Sequence, residues 1–252
     1  MRHSSADPHS NGFVTRIGTA GWSIPRAFAG RVAGAGTHLQ RYARQLNAVE
    51  INSSFYRPHR PSTYARWAEG VPEDFQFAVK LPRTITHQVR LVECEGLLAS
   101  FAEQVTGLGD KRGPLLVQLP PSFAFPGALA ERFFDSVDRL LGGPVVIEPR
   151  HASWYAPEVD AMLSSRRIAQ VLADPPVPTA AREPAGWRGR TYIRLHGAPR
   201  VYWSAYEPAA IEALAARIAG WAAQGEVWTI FDNTASGAAL GNALDLDARL
   251  SA

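Results

Sequence analysis

Ionisable and polar residues recur in this chain at the ends of short apolar runs, in alternation with them. Glu50 and Asn52 alternate with Val49 and Ile51, and Gln76 and Lys80 with Phe75, Phe77 and Val79. Gln118 follows Val117, Glu148 follows Ile147 with Arg150 just beyond it, and Gln170 and Asp174 flank Leu172. Arg194 and His196 alternate with Ile193 and Leu195, and Asp232 follows Phe231. Two glutamates on separate runs, Glu50 and Glu148, are candidates to divide general-acid from general-base work. His196 adds a group that titrates near neutral pH. Arg150 and Arg194 would hold an anion, and Lys80 could serve as Schiff-base nucleophile, proton carrier or anion anchor. The competing reading is mutual neutralisation, with Glu148 paired to Arg150 or Glu50 to Lys80. It accounts for any one residue as well as chemistry does, but poorly for a whole ring of them.

Lys80 stands out for a second reason. Of 26 basic residues only Lys80 and Lys111 are lysine, so the chain meets its ordinary need for positive charge with arginine. A retained lysine is a candidate for proton chemistry that arginine cannot perform. Lys111, in Gly109-Asp110-Lys111-Arg112-Gly113, reads as a solvated charge.

Further candidates cluster beside the same runs. His87 and His151 lie just past two of them, where gating or binding competes with simple capping. Trp22, Phe55, Tyr56, Trp154, Tyr202, Trp203 and Tyr206 supply surfaces that would stack on a sugar or base, or simply pack as a lid. After the last run, Asp232-Asn233-Thr234-Ala235-Ser236-Gly237 leads into a helical pattern. Ser236 or Thr234 would cap that helix and leave backbone N–H groups for an anion. A divalent ion among Glu50, Glu148, Asp174 and His196 is conceivable by residue type. No HxH or HExxH spacing supports it, and the arginines would compete for the same carboxylates, so no cofactor is expected. No Rossmann or Walker fingerprint asks for a nucleotide.

The elements that must position these residues follow from periodicity. Eight β-branched runs begin near residues 16, 48, 75, 114, 145, 168, 191 and 227. Helical stripes lie between several of them: Leu39, Tyr42, Ala43, Leu46; Leu97, Leu98, Phe101, Val105; Leu129, Phe133, Val137, Leu140; and Ile211, Leu214, Ile218, Trp221. Between Pro175 and Gly189 the prolines and glycines read as a loop instead of a helix. The expectation is α/β: one (β/α)8 TIM-type barrel over 14–252, with an irregular crossover after the sixth strand, behind a loose tail at 1–13. Alternate strand residues then face the barrel interior, and the polar ends named above meet at its C-terminal mouth.

Composition agrees with one folded domain. The chain has 252 residues, with 46% hydrophobic and 19% charged, which excludes a disordered polymer. One cysteine, Cys94, excludes an internal disulfide. No apolar stretch is long enough to span a membrane, and the N-terminal residues lack an apolar signal core, so a cytoplasmic location is expected. A net charge of +3 permits an anionic partner without requiring nucleic acid.

Successive segments carry a resemblance. Thr19-Ala-Gly-Trp-Ser23, Val49-Glu-Ile-Asn-Ser-Ser-Phe-Tyr56, Phe77-Ala-Val-Lys80 with Thr86-His87, and Leu116-Val-Gln-Leu-Pro-Pro-Ser-Phe123 come first. Ile147-Glu-Pro-Arg-His-Ala-Ser-Trp154, Tyr192-Ile-Arg-Leu-His-Gly197 and Phe231-Asp-Asn-Thr-Ala-Ser-Gly-Ala238 with Asn242-Ala243 follow. In order from Ile17 to Leu250 they resemble the YecE-like family, domain of unknown function 72. The resemblance implies a TIM-type barrel and no particular reaction. Pro149 and Asp232 depart from it, standing where members usually carry Phe and Asn; the latter adds a negative charge at the mouth.

The residues point to an enzyme using acid/base chemistry on a small anionic, phosphorylated or sugar-like molecule. Lys80, Glu50, Glu148 and His196 would be catalytic. Arg150, Arg194, Asn52, Gln118, Asp174, Tyr56, Trp22, His87, Trp154, Asp232, Asn233, Ser236 and Gly237 would bind. Whether that chemistry is hydrolysis, elimination or isomerisation stays open, as does the oligomeric state. The alternative is a protein that binds or processes nucleic acid across a basic, aromatic mouth. A third reading is a ligand sensor without turnover.

Overall fold

The computed structural model describes residues 14–176 and 182–251. The tail expected at 1–13 lies outside the described residues. Ten strand segments and seven α-helices follow in order: β1 (Thr15–Thr19), α1 (His38–Tyr42), β2 (Ala48–Ile51), α2 (Pro61–Glu69), β3 (Gln76–Lys80), α3 (Glu95–Val105), β4 (Arg112–Gln118), α4 (Ala128–Leu140), β5 (Val145–Glu148), α5 (Pro157–Ser165), β6 (Ala169–Gln170), β7 (Leu172–Asp174), β8 (Ala185–Gly186), β9 (Arg190–Leu195), α6 (Pro208–Ala222), β10 (Glu226–Phe231) and α7 (Ala238–Leu250). β6 and β7 are one line of chain, interrupted at Val171, whose N–H donates to Ile147 at 2.8 Å.

Parallel pairing runs β2-β3-β4-β5-β6 on one side and β7-β9-β10-β1 on the other. The β6/β7 line joins the two groups, and a parallel bridge between Ala20 and Glu50 closes the cylinder. The interior is filled by Ala48, Ala78, Leu116, Val146, Ala169, Val171, Tyr192, Trp228 and Ile230. Tyr192 stacks on Trp228 with ring centroids 5.9 Å apart. The opposite strand faces, including Val49, Ile51, Phe77, Val79, Ile193 and Leu195, pack under the helices in a second, larger core. Period-2 alternation on each strand therefore serves both layers at once.

The helices show how sequence meets that outer layer. In α4, Ala130, Phe133, Phe134 and Val137 are buried at helical spacing. α2, α5 and α6 each begin with proline in the first turn, where a missing N–H is harmless. The crossover after the sixth strand contains no helix among the described residues. It does contain β8, which pairs antiparallel with β6, so it is more than the loop that its prolines suggest. Lys111 differs from its solvated reading as well. Its Nζ donates to the carbonyls of Ala68 (2.7 Å) and Val71 (2.8 Å), clipping the end of α2 to the barrel floor.

Closure between β1 and β2 depends on side chains. A Cβ on Gly18 would lie 2.3 Å from the Ala48 carbonyl oxygen, so only glycine permits this approach. Asn47 accepts from the Ile17 N–H and donates to the Thr15 carbonyl, both at 2.9 Å. Tyr42 accepts from the Thr19 N–H at 2.9 Å and donates to the Ala48 carbonyl at 3.0 Å.

Candidate functional site

At the C-terminal end of the cylinder, β9 contributes Arg194, whose guanidinium is fully buried. It meets Glu50 of β2 through two bonds, Nε to Oε2 at 3.0 Å and Nη2 to Oε1 at 2.8 Å. Its Nη1 donates to Glu148 of β5 at 2.5 Å, and Nη2 also reaches Asp232, just past β10, at 2.8 Å. Only arginine carries enough fixed donors to hold three carboxylates from three strands. The Tyr192 hydroxyl donates to Glu50 at 2.9 Å. Tyr192 was not among the sequence candidates, although it shares the inward parity of Arg194 and His196.

His196 completes the ring. Its Nδ1 lies 3.1 Å from Asp232 Oδ2 and its Nε2 3.0 Å from Glu148 Oε1. Arg150 reaches the same Oε1 at 2.5 Å, and Gln118 donates to Oε2 at 3.1 Å. Burial opposes the charge on Glu148, but Arg194, then His196 and Arg150, outweigh it and hold its carboxyl well below the usual range. Burial likewise opposes the imidazolium of His196, and Glu148 together with the bond to Asp232 raises its pKa nevertheless. Asp232 is held low in the same way, burial being outweighed by Arg194 and then His196. Glu50 and Glu148 do face each other across the lumen, with the Arg194 guanidinium between them. Both are committed to it, and their oxygens are the lone pairs a divalent ion would need. Among the described residues no three His, Cys, Asp or Glu side chains are grouped as metal ligands.

Lys80 ends β3 in different surroundings. None of the described salt bridges or hydrogen bonds ends on its Nζ, which sits 4.1 Å from the centroid of the Phe55 ring. The pairing of Glu50 with Lys80 therefore does not form, because the arginine fork takes both carboxylate oxygens. Burial, then the charge of Arg194, push Lys80 down to about 8 against the pull of Glu50, Glu148 and Asp232. Three carboxylates (Glu50, Glu148, Asp232) face Arg194, Arg150 and His196, whose Nε2 also lies 3.0 Å from Arg150 Nη2. Around Lys80 stand Phe55, with Tyr56 edge-on at 5.0 Å, and His87, also edge-on to Phe55 at 5.0 Å. Burial, and next the nearby Lys80 charge, lower the His87 pKa. His87 belongs to a π-helical turn, Thr84–Gln88, with its Nδ1 2.8 Å from the Thr86 hydroxyl. Tyr202, whose ring is edge-on to His196 at 5.5 Å, covers the opposite side.

Several expected positions fall elsewhere. Gln170 and Asp174 do not enter the ring. The inward residues of that line are Ala169 and Val171, and Gln170 donates outward to the Trp154 carbonyl at 3.1 Å. Asp174 accepts from the Tyr206 hydroxyl at 2.6 Å and lines a cleft of about 320 Å³ between α6 and strands β7 and β9, outside the barrel. The lumen there is already occupied by long side chains from β9 and β10, so small residues line it. Trp154 is fully buried beside Phe123 and Phe125, its indole N–H donating to the Phe123 carbonyl at 3.0 Å. It is a core residue. Trp22 packs edge-on to Trp67 at 5.0 Å. His151 caps the short turn Ala152–Tyr155, as its bland reading had it. Asn233 ties loops together, donating to Ser204 and Asn242 at 2.9 Å each. The N-cap of α7 is Gly237 in a left-handed conformation, with no side-chain cap. Ser236 donates to the Trp203 carbonyl at 2.5 Å and accepts only a long bond, 3.4 Å, from the Ala238 N–H, and Pro25 crowds Gly237, leaving a cavity of about 30 Å³ at the helix start. That space suits a water molecule better than a phosphate.

The family described as protein of unknown function DUF72 matches residues 16–252. The chain belongs to this family. A DUF72 protein from Enterococcus faecalis V583 superposes with a TM-score of 0.80, covering 95% of this chain and 96% of that one at 24% identity. The UPF0759 protein YecE of Escherichia coli O157:H7 is 32% identical over 173 residues, which are 66% of this chain and 61% of YecE. This DUF72 chain thus matches about three-fifths of that relative's length. Outside the family, a sugar phosphate isomerase/epimerase from Parabacteroides distasonis has a TM-score of 0.51 at 9% identity, covering 98% and 97% of the two chains, and shares the fold alone. The α/β architecture with TIM-type neighbours agrees with the sequence reading. No helix is long and apolar enough to cross a membrane.

Proposed function

We propose that this DUF72 protein is an enzyme that uses proton transfer at the barrel mouth on a small anionic, phosphorylated or sugar-like molecule, with Lys80 as the working group. The observation that carries this reading is a buried lysine with no carboxylate partner, held at about 8 beside a network in which every other charge is paired. A lysine of that pKa gives up and regains a proton at physiological pH and attracts an anion while charged. Glu50, Glu148 and His196 act with Arg194 to set the field in which Lys80 works, and Asp232 keeps one oxygen, Oδ1, outside the described hydrogen bonds. Arg150, partly exposed at the rim, is placed to meet the charge of an incoming substrate. Architecture shared with a sugar phosphate isomerase/epimerase fits this reading without specifying a reaction.

A second reading has an observation of its own. The mouth loops carry exposed Arg57, Arg60, Arg83 and Arg200 interleaved with exposed Tyr56, Tyr202 and Trp203, a surface suited to a nucleic-acid strand. One experiment separates the two: a thermal-shift screen of phosphorylated sugars, organic acids, nucleotides and oligonucleotides against wild type and Lys80→Met. A ligand at about a hundred times its Kd adds roughly 2.7 kcal/mol. A shift with a small anion that disappears in Lys80→Met supports the enzyme reading. Shifts with oligonucleotides alone, unaffected by that change, replace it with the second.

A further inference from the structure

Asn52 ends β2 one residue past Ile51, whose register partner on β3 is Val79. Lys80 is the last residue of β3, and Asn52 follows β2 with helical backbone angles, opening the short turn Ser53–Phe55. Ser54 fixes the two strand ends together, its hydroxyl bridging the carbonyls of Ile51 (3.0 Å) and Lys80 (2.6 Å). The Asn52 Oδ1 is buried and has no hydrogen-bond partner. A buried amide oxygen without a donor costs on the order of 1–3 kcal/mol, and native proteins leave few of them. Here one lies at the end of β2, and the neighbouring strand β3 ends in Lys80, a buried cation with no described carboxylate partner. One strand end thus carries a buried acceptor with no donor and the neighbouring one a charged donor with no described acceptor.

We infer that this pair forms a recognition site for a small carboxylate bearing a hydroxyl on the neighbouring carbon. The carboxylate accepts from Lys80 Nζ, and the hydroxyl donates to Asn52 Oδ1. The inference rests on the reading of Lys80 as the group that meets an anion, and it names the kind of anion. Charge decides for a carboxylate over a phosphate dianion. Lys80 brings one positive charge with no carboxylate bonded to it, which a monoanion matches, whereas a dianion would bring a second negative charge beside Glu50, Glu148 and Asp232. Charge also decides for a hydroxyl over an ammonium. Either would donate to Asn52, but an ammonium would bring a further positive charge beside Lys80 and Arg194. The Phe55 ring beneath Nζ holds the ammonium in place, so little side-chain order is lost on binding.

The test is a calorimetric titration of the whole protein with glycolate, acetate and inorganic phosphate, repeated on Asn52→Ala, Asn52→Asp and Lys80→Met. Glycolate and acetate differ by the hydroxyl alone. Wild type should bind glycolate about tenfold more tightly than acetate, the worth of one buried hydrogen bond. Asn52→Ala should bring the two together with acetate unchanged. Asn52→Asp, which keeps the shape and adds a negative charge, should weaken both, and Lys80→Met should abolish both. Equal binding of glycolate and acetate by wild type, still dependent on Lys80, overturns the hydroxyl site and leaves the proposed function intact. Phosphate binding more tightly than glycolate, again through Lys80, does the same. Absence of any Lys80-dependent anion binding overturns both.

Discussion

The two sides of the barrel mouth differ in how they treat charge. On the side of β5, β9 and β10, every side-chain nitrogen of Arg194 and His196 meets a carboxylate of Glu50, Glu148 or Asp232. On the side of β2 and β3, Lys80 and Asn52 each carry a polar atom with no partner. Buried ion pairs offset their own desolvation when the geometry is good, and they resist rearrangement. An unpaired buried group costs stability, and a water, a ligand or a catalytic role can account for it. The paired charges thus tie three strands together, while the side of Lys80 and Asn52 is where the proposed ligand would bind.

Three experiments can break or sharpen that contrast. The largest effect should come from Arg194→Met, which strands three buried carboxylates. Denaturant titration should show a loss of about 3–5 kcal/mol, or no folded protein at all. Stability within about 1 kcal/mol of wild type would mean the network is not what holds the mouth. Next comes Lys80→Met. Its pKa falls from 10.5 to about 8 on folding, so its charged form disfavours the folded state. Wild type should therefore gain stability, on the order of 3 kcal/mol, as pH climbs through 8 toward 10.5. Lys80→Met should already possess that stability at pH 7 and lack the rise. Matching pH profiles for the two proteins would place Lys80 in water, not in the mouth. The smallest effect belongs to His196. Its folded pKa is raised above the unfolded 6.5, so its contribution is complete below that value and disappears as pH rises through the folded one. His196→Gln should flatten this part of the profile. A variant whose stability still declines over that interval would assign the titration to another group.

Strand parity made most of the site legible. Glu50, Lys80, Gln118, Glu148, Arg194, His196 and Asp232 each follow apolar neighbours by one position, and all converge. Parity failed on the sixth line, where Ile168-Ala-Gln-Val-Leu-Ala-Asp174 is apolar on both faces. There the polar residues suggest an inward face that small Ala169 and Val171 occupy, because the lumen is filled from β9 and β10. Partner choice was not legible either. Parity gives a face and not a distance, so it could not show that Arg194 would reach Glu50 before Lys80 did. Asp174 misled with Gln170, being the last residue of β7 on the outward parity; Trp154 misled because its place after a strand end says nothing of whether a loop turns it over the mouth or under a helix. The isolated lysine was legible from composition alone, and it is where the two halves diverge.

The seam between β1 and β2 carries a mechanical consequence. Elsewhere the hoop is closed by backbone ladders that no side-chain replacement can delete, but here Tyr42 and Asn47 act as a clasp across Gly18. A clasp built from two side chains gives the cylinder a line of weakness that point mutation can tune. Glu50 stands at its upper end, its carbonyl holding the Gly21 N–H at 2.8 Å. Loosening the clasp would let the wall hinge there, carrying the anchor of Arg194 with it. The position of the Arg194 anchor is thereby tied to this one joint.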